Sequence, residues 1–397
     1  MSALRKPTPA SKAMTVAGVM SGTSADGIDV ALARISPGAR GLKIKLLAHH
    51  AVPYSKPLRA AVLAAMDAPS ISTAELARLN WHLGIAYADA VTKTLKKHPA
   101  KIDLVGCHGQ TIYHQGTPAI HAGKKLACTW QIGEMAMLAA EAGVPVVSNF
   151  RPADMVAGGQ GAPLVSLLDF TLFRHPTRGR VLQNLGGIGN LTAIPPSAAL
   201  AEVMAFDTGP ANMVIDALAS TLFGKPYDRN GAIAAKGTVL PSVLEAAMRH
   251  PFFGARPPKS AGREEFGAAF AAGFLDDCQR KSPRPEDAIA TATALTALTV
   301  AIAYERFAKP LMNDAPVDFL VSGGGAFNMT LLAMLREKLS PLGCKVESTE
   351  RAGLPAQAKE AVAFALLAYE TWHRRPGNVP AATGAARPAI LGDITYA

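Results

Sequence analysis

Asp207 is the residue with the most chemistry to offer. It follows the apolar stretch Glu202-Val203-Met204-Ala205-Phe206 and precedes Thr208-Gly209-Pro210-Ala211-Asn212, where a helix is expected with Pro210 near its first position. A carboxylate at a strand end beside a helix N-terminus suits a general base, with helix N–H groups close to an anionic phosphate. The same position also suits an Asp that merely caps the helix. An aspartic-protease reading of Asp207-Thr208-Gly209 is set aside, because that mechanism shares a proton between two carboxylates and no second D-T-G occurs.

Three glycine turns each follow an apolar strand. The first, Gly22-Thr23-Ser24-Ala25-Asp26-Gly27, offers backbone N–H groups and two hydroxyls in a tight concavity that suits phosphate oxygens. Asp26 would repel a bare phosphate and makes chemical sense with a bridging Mg²⁺. An ordinary hairpin turn uses the same residue types. The second turn is Gly186-Gly187-Ile188-Gly189-Asn190, at the start of what reads as a second lobe. The third, Ser322-Gly323-Gly324-Gly325, lies between a strand and a helix, with Asn328 as expected N-cap, and would let a flat nucleoside lie against backbone. Together they point to a nucleotide. No Walker A sequence and no intact G-x-G-x-x-G after a strand is present, so P-loop and Rossmann readings fail.

Two further stretches are polar. Gly106-Cys107-His108-Gly109-Gln110-Thr111, with His114 beyond, either presents imidazole and amide groups to a sugar or is a loop with local hydrogen bonds. In Phe150-Arg151-Pro152-Ala153-Asp154, Arg151 suits a carboxylate partner, or the segment simply connects two lobes.

These residues need a scaffold to hold them. Residues 14–35 read as strand, Gly/Ser turn and strand; 55–98 as two helices, the second opening on the capping-box pair Ser72 and Glu75. A short strand (Ile102 to His108), a polar loop, a helix and the strand Pro145 to Phe150 complete an α/β lobe. Arg180 to Ile194 restarts the plan, with Gly187 nearly half a chain beyond Gly22. The expected fold is therefore a duplicated α/β fold with two lobes around a cleft.

Length and composition agree. The chain has 397 residues, 49% hydrophobic and 18% charged, which excludes extensive disorder. No uninterrupted apolar run approaches the ~20 residues of a membrane span, and residues 1–13 read as a loose tail without a signal-peptide pattern. Four scattered cysteines signal neither disulfides nor zinc, which fits the cytoplasm. The net charge of +10 is spread rather than clustered and accompanies no nucleic-acid motif. Neither nucleic acid nor membrane is expected as a partner.

The sequence resembles the anhydro-N-acetylmuramic acid kinases of the sugar kinase, Hsp70 and actin superfamily, from about Val16 to Gly392. The resemblance is carried in order by GVMSGTSADGIDVAL, GCHGQTIYH, TWQIGEMAMLA, FRPADMVAGGQGAPLV, NLGGIGNLT, FDTGPANMVIDA, YDRNGAIAAKG, FFGARPPKSAGREEF, VSGGGAFN and RPGNVPAATGA. It implies a duplicated actin-like (ribonuclease H-like) ATPase fold, and an ATP- and Mg²⁺-dependent kinase of cell-wall recycling. Such enzymes open the 1,6-anhydro ring hydrolytically and phosphorylate O6. By residue match it implies Gly22, Thr23, Ser24, Ala25, Asp26, Gly27, Ile28 and Asp29 as the ATP-phosphate segment, with Asp26 toward the metal and Asp207 as the base. Gly186, Gly187, Asn190 and Gly323, Gly324 and Gly325 complete the nucleotide site. His108, Gln110, Arg151 and Asp154 follow as sugar-side or structural groups, and a homodimer is implied.

The expected boundaries are 14–150 for the first lobe (joined by the tail near 378–397), 151–179 for an interlobe segment, and 180–377 for the second lobe. The alternative to the kinase is a catalytically retired nucleotide sensor or scaffold of the same superfamily. Asn149, Ser166, Asp169, Ala211 and Ala261 depart from the family pattern, which bears on substrate fit.

Overall fold

The apolar, β-branched runs become strands, and the strands build one sheet pattern twice. The computed structural model describes residues 12–22, 25–38, 41–66, 68–349 and 354–397. They form two units, Met1–Leu172 with Gln357–Ala397, and Phe173–Ala356.

In the first unit, β1 (Met14–Ser21), β2 (Gly27–Gly38) and β3 (Gly41–Pro53) make an antiparallel meander. β4 (Leu104–His121) lies parallel to β1 on its other side, and β5 (Lys124–Ile132) folds back on β4 as a hairpin. β6 (Val146–Ser148) runs parallel to β4, and the C-terminal strand Asp393–Thr395 pairs antiparallel with β6. Every residue of β1 is buried, as a sheet covered on both faces requires. On one face the helix Lys359–Trp372 comes close because Gly18 and Gly106, cross-strand partners, carry no side chain. A Cβ at either would collide with the carbonyl of Ala361 or Phe364. On the other face Ala17, Val19, Val105 and Cys107 share a core with Leu83, Tyr87 and Val91 of the helix Thr73–Lys97. That helix starts as its sequence predicts: Ser72 Oγ accepts the Glu75 N–H at 3.1 Å and bonds the Glu75 carboxylate at 2.9 Å.

In the second unit, β7 (Gly179–Leu185), β8 (Ile188–Ile194) and β9 (Met204–Pro210) are antiparallel, β10 (Val317–Ser322) runs parallel to β7, and β11 (Cys344–Ser348) parallel to β10. The order β9-β8-β7-β10-β11 repeats β3-β2-β1-β4-β6, three antiparallel strands followed by two parallel ones. This is the duplicated actin-like, ribonuclease H-like plan. The helix Pro285–Ala303 is buried along almost its whole length in this unit. The run Pro285–Met312 is long and apolar enough to cross a membrane, but it is a core helix here.

Several expectations change. The segment after His108 is not a polar loop, because β4 continues to His121 through pairing with β5. Residues 151–172 and 357–377 fall within the first unit, so neither an interlobe connection at 151–179 nor a lobe reaching 377 matches the observed division. For residues 357–377 the cause is the seat that Gly18 and Gly106 give the helix Lys359–Trp372. Most of the tail 1–13 lies outside the described residues.

Candidate active site

Asp207 sits in the middle of β9, not at its end, since β9 stays paired with β8 as far as Pro210 and the next helix begins at Asn212. Asp207 is therefore no helix cap. Its backbone N–H donates to the Lys259 carbonyl at 3.0 Å. Its Oδ2 accepts the N–H of Ala261 at 2.9 Å, and no other hydrogen bond to that carboxylate is made among the described residues. Burial pushes its pKa up to about 6, against the Ala261 hydrogen bond and Lys259, which favour the ionised form.

The glycine turns of this unit come together. Backbone bonds tie Ala211 N and Met213 N to the Gly187 carbonyl (2.9 and 3.0 Å) and Asn212 N to that of Gly186 (2.9 Å). The Asn212 side chain donates to the Leu185 carbonyl at 2.9 Å. Gly323, at φ +80°, faces the same hairpin: a Cβ there would lie 2.6 Å from Asn184 Oδ1 and 2.8 Å from the Leu185 carbonyl. A Cβ on Gly325 would lie 2.6 Å from the Leu185 side chain. Gly186 and Gly324 are different, since nothing closer than 3.5 and 3.4 Å would meet a Cβ on them. The turns pack against each other on one side and leave open backbone on the other, which fits a phosphate or nucleoside. Asn190 pairs across the sheet with Asp207 on one side and Asn184 on the other. Asn328 caps the helix Met329–Leu339 as expected, accepting the Leu331 N–H at 3.0 Å.

The first turn belongs to the other unit. Thr23 and Ser24 lie outside the described residues. Around them Gln110 donates to the Gly22 carbonyl at 3.1 Å, Arg59 to that of Ala25 at 3.2 Å, and Tyr54 N to that of Asp26 at 3.2 Å. A Cβ on Gly27 would strike the Val52 carbonyl. The Asp26 side chain is exposed and meets Arg59 at 3.4 Å. Among the described residues no cluster of three or more His, Cys, Asp or Glu could hold a metal. Mg²⁺ bound mainly by phosphates and water needs only one or two carboxylates, so Asp26 fits that role. Ile28 points into the core, and Asp29 bonds His49 at 2.8 Å.

The remaining candidates form two groups in the first unit. His108 and Arg151 meet: Arg151 Nε donates to His108 Nε2 at 3.1 Å and its Nη1 to the Gly161 carbonyl at 2.7 Å. His108 lies in β4, tilted against Phe364, and burial with Arg151 nearby depresses its pKa to about 3, so it is neutral. Burial also lowers the pKa of Arg151 to about 10, opposed by Glu360 and Asp154. Asp154 is fully buried and accepts from Gly161 N (2.8 Å), Asn378 Nδ2 (2.8 Å) and Thr383 Oγ1 (2.7 Å). Together with Gln110, which also accepts from the Tyr54 hydroxyl at 3.2 Å, it spends its polar atoms on the fold.

Two of the departures, Asn149 and Asp169, have local explanations. Asn149, at φ +56°, donates to Asp393 at 2.7 Å and ties down the C-terminal strand. Asp169 forms a buried ion pair with Lys359 at 2.8 Å. Ala211 is buried at φ −115° and ψ −104°, outside the main regions that L-residues occupy, and nothing in the structure explains a methyl there. Nothing in the structure explains Ser166.

One polar side chain beside Asp207 carried no expectation. Lys259 lies inside the Phe252-to-Phe266 motif, and the Pro-Pro-Lys-Ser string was its only sequence signal. Burial, with Arg306 nearby, lowers its pKa to about 8.

Comparison with known proteins places the chain. The family model described as anhydro-N-acetylmuramic acid kinase matches residues 14–397. A protein of that name from Bacillus cereus (strain AH187) is 44% identical over 386 residues, covering 96% of this chain and 99% of its own. One from Bacillus thuringiensis subsp. konkukian (strain 97-27) is 43% identical with the same coverage. Among solved structures, the ADPNP-bound activator of 2-hydroxyisocaproyl-CoA dehydratase from Clostridium difficile is 11% identical, with a TM-score of 0.42 over 90% of this chain and 95% of that one. A ROK family glucokinase from Streptomyces griseus with glucose and AMPPNP is 11% identical, with a TM-score of 0.38 over 90% and 99%.

Proposed function

The chain belongs to the anhydro-N-acetylmuramic acid kinase family, and from that premise we propose how its residues carry the reaction. The activity is a kinase of peptidoglycan recycling, which opens the 1,6-anhydro ring of anhydro-N-acetylmuramic acid and phosphorylates O6 with ATP, giving N-acetylmuramic acid 6-phosphate and ADP.

Asp207 is the general base. Its carboxylate takes the proton from the water that attacks the anomeric carbon. The observation that carries this is its geometry: one oxygen is fixed by the Ala261 N–H, and no described residue bonds the other. A pKa of about 6 leaves it ionised near neutrality yet basic enough to accept a proton. As the anhydro bond breaks, O6 gains negative charge and needs the γ-phosphorus in line, which is a positioning task. Gly186 and Gly324 offer open backbone to the nucleotide, Gly187, Asn190, Gly323 and Gly325 shape the turns that present it, and the Gly22 to Asp29 turn holds phosphate oxygens. Asp26 would hold Mg²⁺ together with the phosphates, and the ion would supply charge neutralisation. His108 and Arg151 are the sugar-side groups of this reading, while Gln110 and Asp154 hold their own segments in place.

A homodimer in the cytoplasm, without nucleic-acid or membrane partners, completes the reading. It is supported by the family resemblance and by four free cysteines, three of them buried. The test is ADP release from ATP and Mg²⁺ with and without the anhydro sugar, with product mass recorded. Sugar-dependent release and a product heavier by one phosphate group and one water support the reading. ADP release independent of the sugar overturns it.

A further inference from the structure

Lys259 takes no direct part in the proton transfer assigned to Asp207. Its ammonium lies 4.5 Å from the ring centre of Phe252, 5.4 Å from that of Phe307 and 6.0 Å from that of Phe206. It donates to the Phe252 carbonyl at 3.1 Å. Aromatic faces attract a cation and cover the aliphatic stem, so this side chain is held rather than free to swing into water. The stretch it anchors grips Asp207 twice. The Lys259 carbonyl accepts the Asp207 N–H at 3.0 Å, and two residues on, Ala261 N–H donates to Asp207 Oδ2 at 2.9 Å.

We propose that Lys259 is a positioning residue for Asp207: its caged ammonium fixes the 259–261 strap against β9, and its charge keeps Asp207 a carboxylate at working pH. The inference rests on Asp207 being the base. Glu265 opposes ionisation of Asp207 and Lys259 favours it, while Arg306 disfavours the charge on Lys259 and Asp207 favours it. Lys259 titrates near 8 and Asp207 near 6, so the lysine is charged wherever the carboxylate changes state.

The experiment compares the wild type with Lys259→Met, which keeps the apolar stem, and Lys259→Arg, which keeps the charge. Two readouts are taken on the full chain. One is the pH dependence of kcat. The other is the ¹³C carboxyl titration of Asp207, assigned by its disappearance in Asp207→Asn. In Lys259→Met the Asp207 midpoint is expected to rise by about one pH unit and the acid limb of kcat to follow, with Lys259→Arg returning most of the shift. A purely structural lysine would lower kcat at every pH and leave the midpoint in place, and an unmoved midpoint overturns the proposal. If the midpoint moves while the acid limb stays, the coupling stands and the assignment of Asp207 as base fails. Should Lys259→Met not fold, Lys259→Gln, which keeps a donor toward the Phe252 carbonyl, is read by the same criteria.

Discussion

The N–H of Ala261 reaches Oδ2 of Asp207 at 2.9 Å across 54 residues of sequence. A single backbone donor orients the carboxylate without satisfying it. Burial then works against the charge that a general base needs, and pushes the Asp207 pKa up to about 6.

The pH dependence of activity follows from that poise. Below about pH 6 Asp207 becomes protonated and kcat is expected to fall about tenfold per unit. His108, neutral down to about pH 3, takes no part in this limb. His108→Gln should therefore leave the limb's midpoint within ~0.2 units of wild type, checked by initial rates between pH 5 and 9.

Stability carries the opposite sign. The native state holds the Asp207 proton up to about pH 6, whereas the unfolded chain releases it near 3.8, so folding loses stability as pH rises between the two. Asp207→Asn removes that loss. Its melting temperature is expected to exceed wild type at pH 7.5 and to match it at pH 4, measured by thermal denaturation at both values.

Two neighbouring glycines should behave differently. Gly323→Ala places a methyl at φ +80° against Asn184 and Leu185, and is expected to lower stability by about 1–3 kcal/mol. Gly324→Ala meets nothing closer than 3.4 Å, so it should melt with wild type and instead weaken ATP binding several-fold. Urea unfolding and nucleotide titration calorimetry separate the two effects.

Asp154 has no free oxygen for a ligand. Asp154→Ala would orphan the donors of Gly161, Asn378 and Thr383 in a buried site, at a cost of at least ~3 kcal/mol. Urea denaturation should show that loss, together with easier proteolysis of the segment beyond residue 377.

Much of this arrangement is legible in the sequence because it is local. The hairpin turns at Gly22 and Gly187, the Ser72 capping box and the Asn328 cap each depend on residues within a few positions. What escapes is set by distant contacts. Gly18 and Gly106 draw the helix Lys359–Trp372 onto the first sheet, which no local pattern around residue 360 reveals. Asp207 reads as a strand end because Gly209 and Pro210 look like a break, yet pairing of Gly189 with Gly209 and Ile188 with Pro210 carries β9 past it. Lys259 becomes notable only when Phe206, Phe252 and Phe307 gather around it.

The most direct test of the account is turnover by Asp207→Asn with ATP, Mg²⁺ and anhydro-N-acetylmuramic acid, alongside its affinity for ATP. If Asp207 is the base, kcat falls at least ~10²-fold while ATP binding stays within a few-fold of wild type. Turnover within a few-fold of wild type would contradict it and remove Asp207 from the role of base.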